Sequence, residues 1–162
     1  MDFSTIITSQ DIEIVLKLLT AILLGMSLGI ERALAGKTAG MRTYGLVTMG
    51  SALFVIIGIL ASGGYHYTTA AFSDSSARIT ASIIQGIGFI GAGLIFFKAK
   101  EEKISGVTTA SGIWVAASIG VAIGYGFYVL AILATVFTLF AFTGLWYIEN
   151  KVKSLLHFSQ ED

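Results

Sequence analysis

The 162 residues are 55% hydrophobic and only 12% charged, with ten basic and ten acidic side chains, against about 25% charged in an ordinary soluble domain. So little charge cannot wet the surface of a globule this small, and so high an apolar fraction excludes disorder; the chain reads as an all-α integral membrane protein. A net charge of zero gives no bulk attraction to nucleic acid, the lack of cysteine removes disulfides, thiolate metal sites and thiol catalysis, and the two histidines, His66 and His157, are too few for a histidine zinc site.

Apolar stretches long enough to cross the hydrocarbon core cover residues 12–30, 43–61, 79–97, 107–124 and 127–148. About five transmembrane helices are therefore expected in a domain at 1–150, with a short tail at 151–162. Continuous apolar runs, in place of period-two alternation, exclude a barrel. The segment before the first span carries no Lys or Arg and no cleavage site follows a short apolar core, so the span is expected to stay in the mature protein.

In the first span Ala21, Gly25, Gly29 and Ala33 recur every four residues, the spacing that lets membrane helices approach closely. The link to the second span carries Glu31, Arg32, Lys37, Arg42 and Thr43 among Gly29, Gly36 and Gly40. Charges near membrane depth are costly and tend to be paired, whereas Arg42 could simply snorkel to the headgroups. The link is no P-loop, since the glycine-to-lysine spacing is absent. Residues 62–78 form the one sizeable loop between spans on the opposite side, with Tyr65, Tyr67 and Phe72 suited to the interface. Ser73 or Asp74 is expected to cap the third span, and Asp74 to pair with Arg78 at i, i+4; an outward carboxylate at a cation entrance is the other reading of this helix entrance.

The third span has two small stripes, Ser82, Gly86 and Gly93 on one side and Ala81, Gln85, Gly88 and Ala92 on another, so it is expected to sit between two neighbours. In the fourth span Thr108, Gly112, Ala116, Gly120 and Gly124 repeat every four residues. Gln85 and the hydroxyls of Thr80, Ser82, Thr108, Thr109, Ser111 and Ser118 suit either interhelical hydrogen bonds or a hydrated pathway. The short link at 124–127 makes spans four and five a tight hairpin. In the tail, Lys151, Lys153 and His157 beside Leu155, Leu156 and Phe158 suit a short amphipathic segment on the membrane surface.

Eight Lys and Arg fall on one side of five spans (Arg32, Lys37, Arg42, Lys98, Lys100, Lys103, Lys151, Lys153) and two, Lys17 and Arg78, on the other. The positive-inside rule then puts the N-terminus outside and the C-terminus in the cytoplasm. A four-span alternative, with one central segment re-entrant, weakens that partition. At a constant offset of 66 residues, Gly25 maps to Gly91, Leu28 to Leu94, Lys37 to Lys103, Gly40 to Gly106, Thr43 to Thr109, Val55 to Val121 and Gly58 to Gly124. That is the pattern of a tandem repeat of hairpins. No Asp or Glu lies mid-span, which argues against a pump built on membrane carboxylates, and no catalytic triad or carboxylate pair exists, which argues against an enzyme.

Three blocks are recognisable: residues 25–54, with Gly29, Glu31 and Arg32 followed by Gly40, Met41, Arg42 and Thr43; residues 86–93, with Gly86, Gly88, Gly91 and Gly93; and residues 106–110 with Trp114. They resemble the MgtC/SapB family of bacterial inner-membrane proteins, specifically its hydrophobic domain. The resemblance implies about five spans in the cytoplasmic (inner) membrane and a link to magnesium limitation, intracellular survival or acid stress. It also implies regulation through contacts with other membrane complexes, including the ATP synthase. Two departures stand out. Virulence-type members carry a soluble C-terminal domain, while this chain ends 14 residues after its last span. The family pattern of Asp, then Arg, then Gln before and inside the third span is shifted here, with Ser75 and Ser82 at the expected Asp and Gln positions.

Two functions stay open. One is a non-enzymatic regulator acting by contact, as a homo-oligomer such as a dimer or with another inner-membrane complex. The other is a magnesium or other cation transporter, using Glu31 and Asp74 as entrances with Gln85 between them and Mg2+ as substrate, not cofactor. Glu31, Arg32 and Arg42 are expected to matter in either case.

Overall fold

The computed structural model describes residues 8–62, 74–99 and 103–158. α1 (Ser9–Leu34) starts at a capping box: the Thr8 hydroxyl accepts from the Asp11 backbone N–H, and the Asp11 carboxylate accepts from the Thr8 backbone N–H at 2.8 Å. Two orphan donors of the first turn are thereby satisfied. After the turn at Gly36, α2 (Met41–Ala61) runs back antiparallel to α1. The two pack so closely that a Cβ on Gly25 would lie 2.6 Å from the Tyr44 carbonyl oxygen and 2.8 Å from Thr48 Cβ. The small residues Ala21, Gly25 and Gly29 are buried against α2, while Ala33 is exposed.

α3 (Asp74–Leu94) leads into a two-stranded antiparallel ribbon, β1 (Phe96–Lys98) with β2 (Lys103–Ser105), in register Phe96 to Ser105, Phe97 to Ile104 and Lys98 to Lys103. The sequence reading ends the third span inside this ribbon; three-residue strands carry too little periodicity to be told from a helix end. Gly106, at φ +91°, turns the chain out of β2, and a Cβ there would collide with the Leu94 carbonyl. α4 (Val107–Gly124) follows and is the most enclosed helix, with Ile113, Ala116, Ile119 and Ile123 all buried. Its glycines face α2: a Cβ on Gly120 would strike the Thr48 carbonyl, and one on Gly124 would lie 2.6 Å from Val55 Cβ.

Gly126, at φ +86°, closes the short link to α5 (Tyr128–Phe158). This helix runs through the residues expected as a separate surface segment. Neither Gly nor Pro interrupts it after Gly144, and Glu149 pairs with Lys153 at i, i+4, the arrangement that supports helix continuation. Among the described residues the architecture is thus five helices, each long and apolar enough to cross a membrane, with α2 and α4 at the centre and α1, α3 and α5 around them.

The small stripes of α3 differ from expectation. Toward its own chain α3 turns Ser76, Thr80, Ile83, Ile87 and Gly91. Ser82, Gly86 and Gly93, like Ala81, Gln85, Gly88 and Ala92, are exposed, and among the described residues a Cβ on Gly86, Gly88 or Gly93 would meet nothing within 4 Å. The bulkier line fills the groove beside α4, leaving both small faces outward.

Candidate functional site

Four helices meet at one end of the bundle around Arg32. α1 delivers it from its last turn, where a cation is favoured by the helix dipole. Its side chain is 5% exposed, against 20% for Glu31. The guanidinium forks onto the neighbouring carboxylate, Nε on Oε2 and Nη2 on Oε1 at 2.7 Å. This two-pronged pairing is the strong form of a charge-assisted hydrogen bond. The other face of the guanidinium lies over the Phe142 ring of α5, with Cζ 3.8 Å from the centroid, a cation–π contact inside a packed region.

Phe142 in turn meets Tyr44 of α2 edge-to-face, centroids 6.5 Å apart and planes at 89°. Tyr44 is fully buried, and its hydroxyl donates a long 3.5 Å hydrogen bond to the Thr109 carbonyl of α4. Gly112, one helical turn further on, leaves the room: a Cβ there would run into the Tyr44 hydroxyl and lie 2.6 Å from Phe142. Arg32, Tyr44, Thr109, Gly112 and Phe142 therefore tie α1, α2, α4 and α5 together.

The other charges of the link stand apart. Lys37 is exposed after the turn, where its backbone N–H donates to the Arg32 carbonyl at 3.0 Å. Arg42 is exposed in the first turn of α2, where the dipole disfavours a cation, so α2 gains nothing from it. With Gly40, Met41 and Thr43 it lines a shallow surface depression. Glu31 joins Arg32, and among the described residues Arg42 has no ion-pair partner.

The remaining sequence candidates do not converge. Ser82, Ser111 and Ser118 donate to carbonyls four residues back on their own helices. Thr108 and Gln85 are exposed, and Thr109 is buried. Thr80 shares a 2.9 Å hydrogen bond with the Tyr125 hydroxyl, which also donates to the Ser76 carbonyl. Arg78 is exposed, while the expected cap at Ser73 and the Asp74 side chain lie outside what is described. Among the described residues no group of three His, Asp or Glu side chains is placed to hold a metal ion.

Sequence reasoning missed two participants in the site and one buried charge away from it. Tyr44 and Phe142 gave no signal, because aromatics are common in apolar spans. Lys17 did give one: it is a charge within an apolar stretch, the usual mark of a paired or functional group. It is buried, 3.1 Å from Glu13, and donates to the Gly124 carbonyl at 3.3 Å. There it neutralises the negative end of α4, at the end of the bundle opposite Arg32.

A family model described as the MgtC family matches residues 18–151. The chain belongs to the MgtC family. It is 41% identical to protein SrpB of Synechococcus elongatus over 134 residues, covering 79% of this chain and 72% of that protein. It is 42% identical over 131 residues to the protein named "Putative magnesium transporter YhiD" of Escherichia coli K12, covering 78% and 58%. Protein SapB of Bacillus subtilis is 38% identical over 143 residues, covering 88% and 60%. The chain thus spans less than two thirds of the length of the last two MgtC-type relatives. None of these names is that of an enzyme. No solved structure matches the chain.

Proposed function

We propose that this MgtC-family chain is a non-enzymatic inner-membrane protein, N-terminus outside, that acts by contact with other membrane proteins and bears on magnesium homeostasis or stress adaptation. The observation that carries the reading is the dispersal of its polar groups. Glu31 is engaged by Arg32, Gln85 is exposed on the outward side of α3, and between them α4 is filled by Ile113, Ala116, Ile119 and Ile123. A conducting route needs such groups to share a wetted cavity. In this reading the buried Arg32 cluster holds the helices in one arrangement, and the exposed Arg42 beside Thr43 is what a partner meets.

The printed name of YhiD favours the second reading, a magnesium transporter. Magnesium keeps several of its waters, so few direct carboxylates would serve it. Magnesium entry into proteoliposomes at a set membrane potential separates the two, with Arg42→Ala and Asp74→Asn as controls. Folded, inserted protein is expected to give no flux above empty vesicles. Flux that both substitutions diminish would overturn the contact reading.

A further inference from the structure

The five helices are not held equally. Arg32 and Phe142, with Tyr44 and Gly112, join α1, α2, α4 and α5 at one end of the bundle. At the other end Lys17 of α1 donates to the Gly124 carbonyl that closes α4. Among the described residues α3 contributes to neither tie, and only its Ser76, Ile87 and Gly91 are buried, whereas α4 is buried along most of its length.

What holds α3 differs from one end to the other. Next to the ribbon it runs through Ile95 into β1, whose three residues pair with β2, and Gly106 then turns against the Leu94 carbonyl into α4. That end cannot part from α4 while the ribbon is paired. The apolar contacts of α3 are thin: a Cβ on Gly91 would still be 3.7 Å from that of Ala110, and Ile79 rests on Gly58 of α2. Membrane helices have no hydrophobic drive toward one another, because lipid tails replace apolar contacts almost evenly; hydrogen bonds between helices have no such replacement. At the end away from the ribbon those bonds come from Tyr125, in the link between α4 and α5. Its hydroxyl donates to the Ser76 carbonyl at 3.1 Å and shares a 2.9 Å hydrogen bond with the Thr80 hydroxyl. The tyrosine stands on a firm mount. Gly126, at φ +86°, folds the link back so that its N–H and that of Phe127 donate to the Ile123 and Ala122 carbonyls, and Lys17 holds Gly124.

A segment with few buried contacts opens before the rest of its protein. We propose that α3 is a hinged arm on a fixed four-helix unit: it pivots at the ribbon, and the Tyr125 hydroxyl is the latch that keeps its far half docked on α2 and α4. When the latch is released, Ser76, Thr80 and Ile83 leave the groove while the Arg32 cluster stays closed. The hinge is independent of whether the protein regulates or transports, and the measurement below reads no flux.

The chain has no cysteine, so paired substitutions place spin labels cleanly. Ala81→Cys with Val129→Cys spans α3 to α5, and Leu16→Cys with Val129→Cys spans α1 to α5 within the fixed unit; all three positions are exposed. Distances are read by double electron–electron resonance on the full chain in nanodiscs, diluted with unlabelled protein so that only intramolecular pairs count. In the Ala81 pair, Tyr125→Phe should raise the population at longer distance about sevenfold, the factor set by the loss of two interhelical hydrogen bonds, and Thr80→Val, which removes one, about threefold. The Leu16 pair should keep its distance in both variants. The proposal falls if the Ala81 distribution is the same in Tyr125→Phe as in the unsubstituted chain. It falls equally if both pairs broaden together, which would make Tyr125 a support of the whole bundle and not the latch of one arm.

Discussion

Shifted by 66 residues, Gly25, Gly40, Thr43 and Gly58 of the α1–α2 hairpin align with Gly91, Gly106, Thr109 and Gly124 of the α3–α4 hairpin. Gly40 and Gly106 each precede a helix that starts one residue later, and the first backbone bonds match, Tyr44 to Gly40 and Ala110 to Gly106. Gly25 faces the Tyr44 carbonyl as Gly91 faces Ala110. The copies differ in where they are tight. In the first, the helices touch and Gly25 is indispensable, while Gly40 has an extended φ of −114° and an added Cβ would sit 3.5 Å from Ala33. In the second, Gly91 has ordinary room at 3.7 Å, while Gly106 is held in a left-handed turn against Leu94. Where the first copy has Glu31 and Arg32, the second has Phe97 and Lys98 in β1. One copy is closed by helix contact and by the ion pair of buried Arg32 with part-buried Glu31, the other by a ribbon. The matching glycines fix the register, and the specialised residues decide how each hairpin is closed, while each contributes one helix, α2 and α4, to the bundle's centre.

That contrast can be broken at its strongest point with Arg32→Ala, which leaves a poorly solvated Glu31 and strips Phe142 of its cation. Removal of one partner of a fully buried pair costs about 3–5 kcal/mol, and the partial exposure of Glu31 sets the expected loss at about 2–3 kcal/mol. Unfolding in mixed micelles titrated with SDS should register the loss, and a change under 1 kcal/mol would show that the pair contributes little. Next comes the connector: Gly106→Ala should cost about 2–4 kcal/mol, from the left-handed backbone and the collision with Leu94. Gly40→Ala should cost well under half as much in the same titration, and equal losses would erase the distinction between the two turns. The helix contacts should respond in the opposite sense. Gly25→Ala should cost about 1–3 kcal/mol by overpacking, whereas Gly91→Ala should be neutral or gain up to about 1 kcal/mol from helix propensity. Parallel losses at both would mean the hairpins pack alike. Tyr44→Phe sharpens the picture last. It keeps the ring contact with Phe142 and removes one long hydrogen bond, for about 0.6 kcal/mol; a loss above 2 kcal/mol would show the hydroxyl doing more than its geometry implies.

The five helices were legible because bilayer thickness imposes a length and an apolar composition that few other structures share. The repeat was legible for a similar reason, since the glycines at helix starts and crossings cannot drift without steric cost. The ribbon was not, because Phe96 and Phe97 read like the end of a span. Of the candidate site, the costliness of Glu31 and Arg32 near membrane depth pointed to pairing, but their partner Phe142 comes from a distant helix that no local pattern connects to α1. The orientation of the α3 stripes was equally hidden. Small residues announce close approach, and only the competing line from Ser76 to Gly91 decides that the chain's own core takes the other side.

Arg32 also bears on how the protein is made. The guanidinium belongs to α1, which leaves the ribosome before the other four described helices, and the aromatic ring that shelters it belongs to α5, synthesised after them. Until α5 arrives, the neighbourhood of Arg32 is incomplete, so the nascent α1 must wait with a charged end held at the aqueous edge or by the insertion machinery. Completion of the Arg32 environment is thereby deferred until Phe142 of α5 has been made.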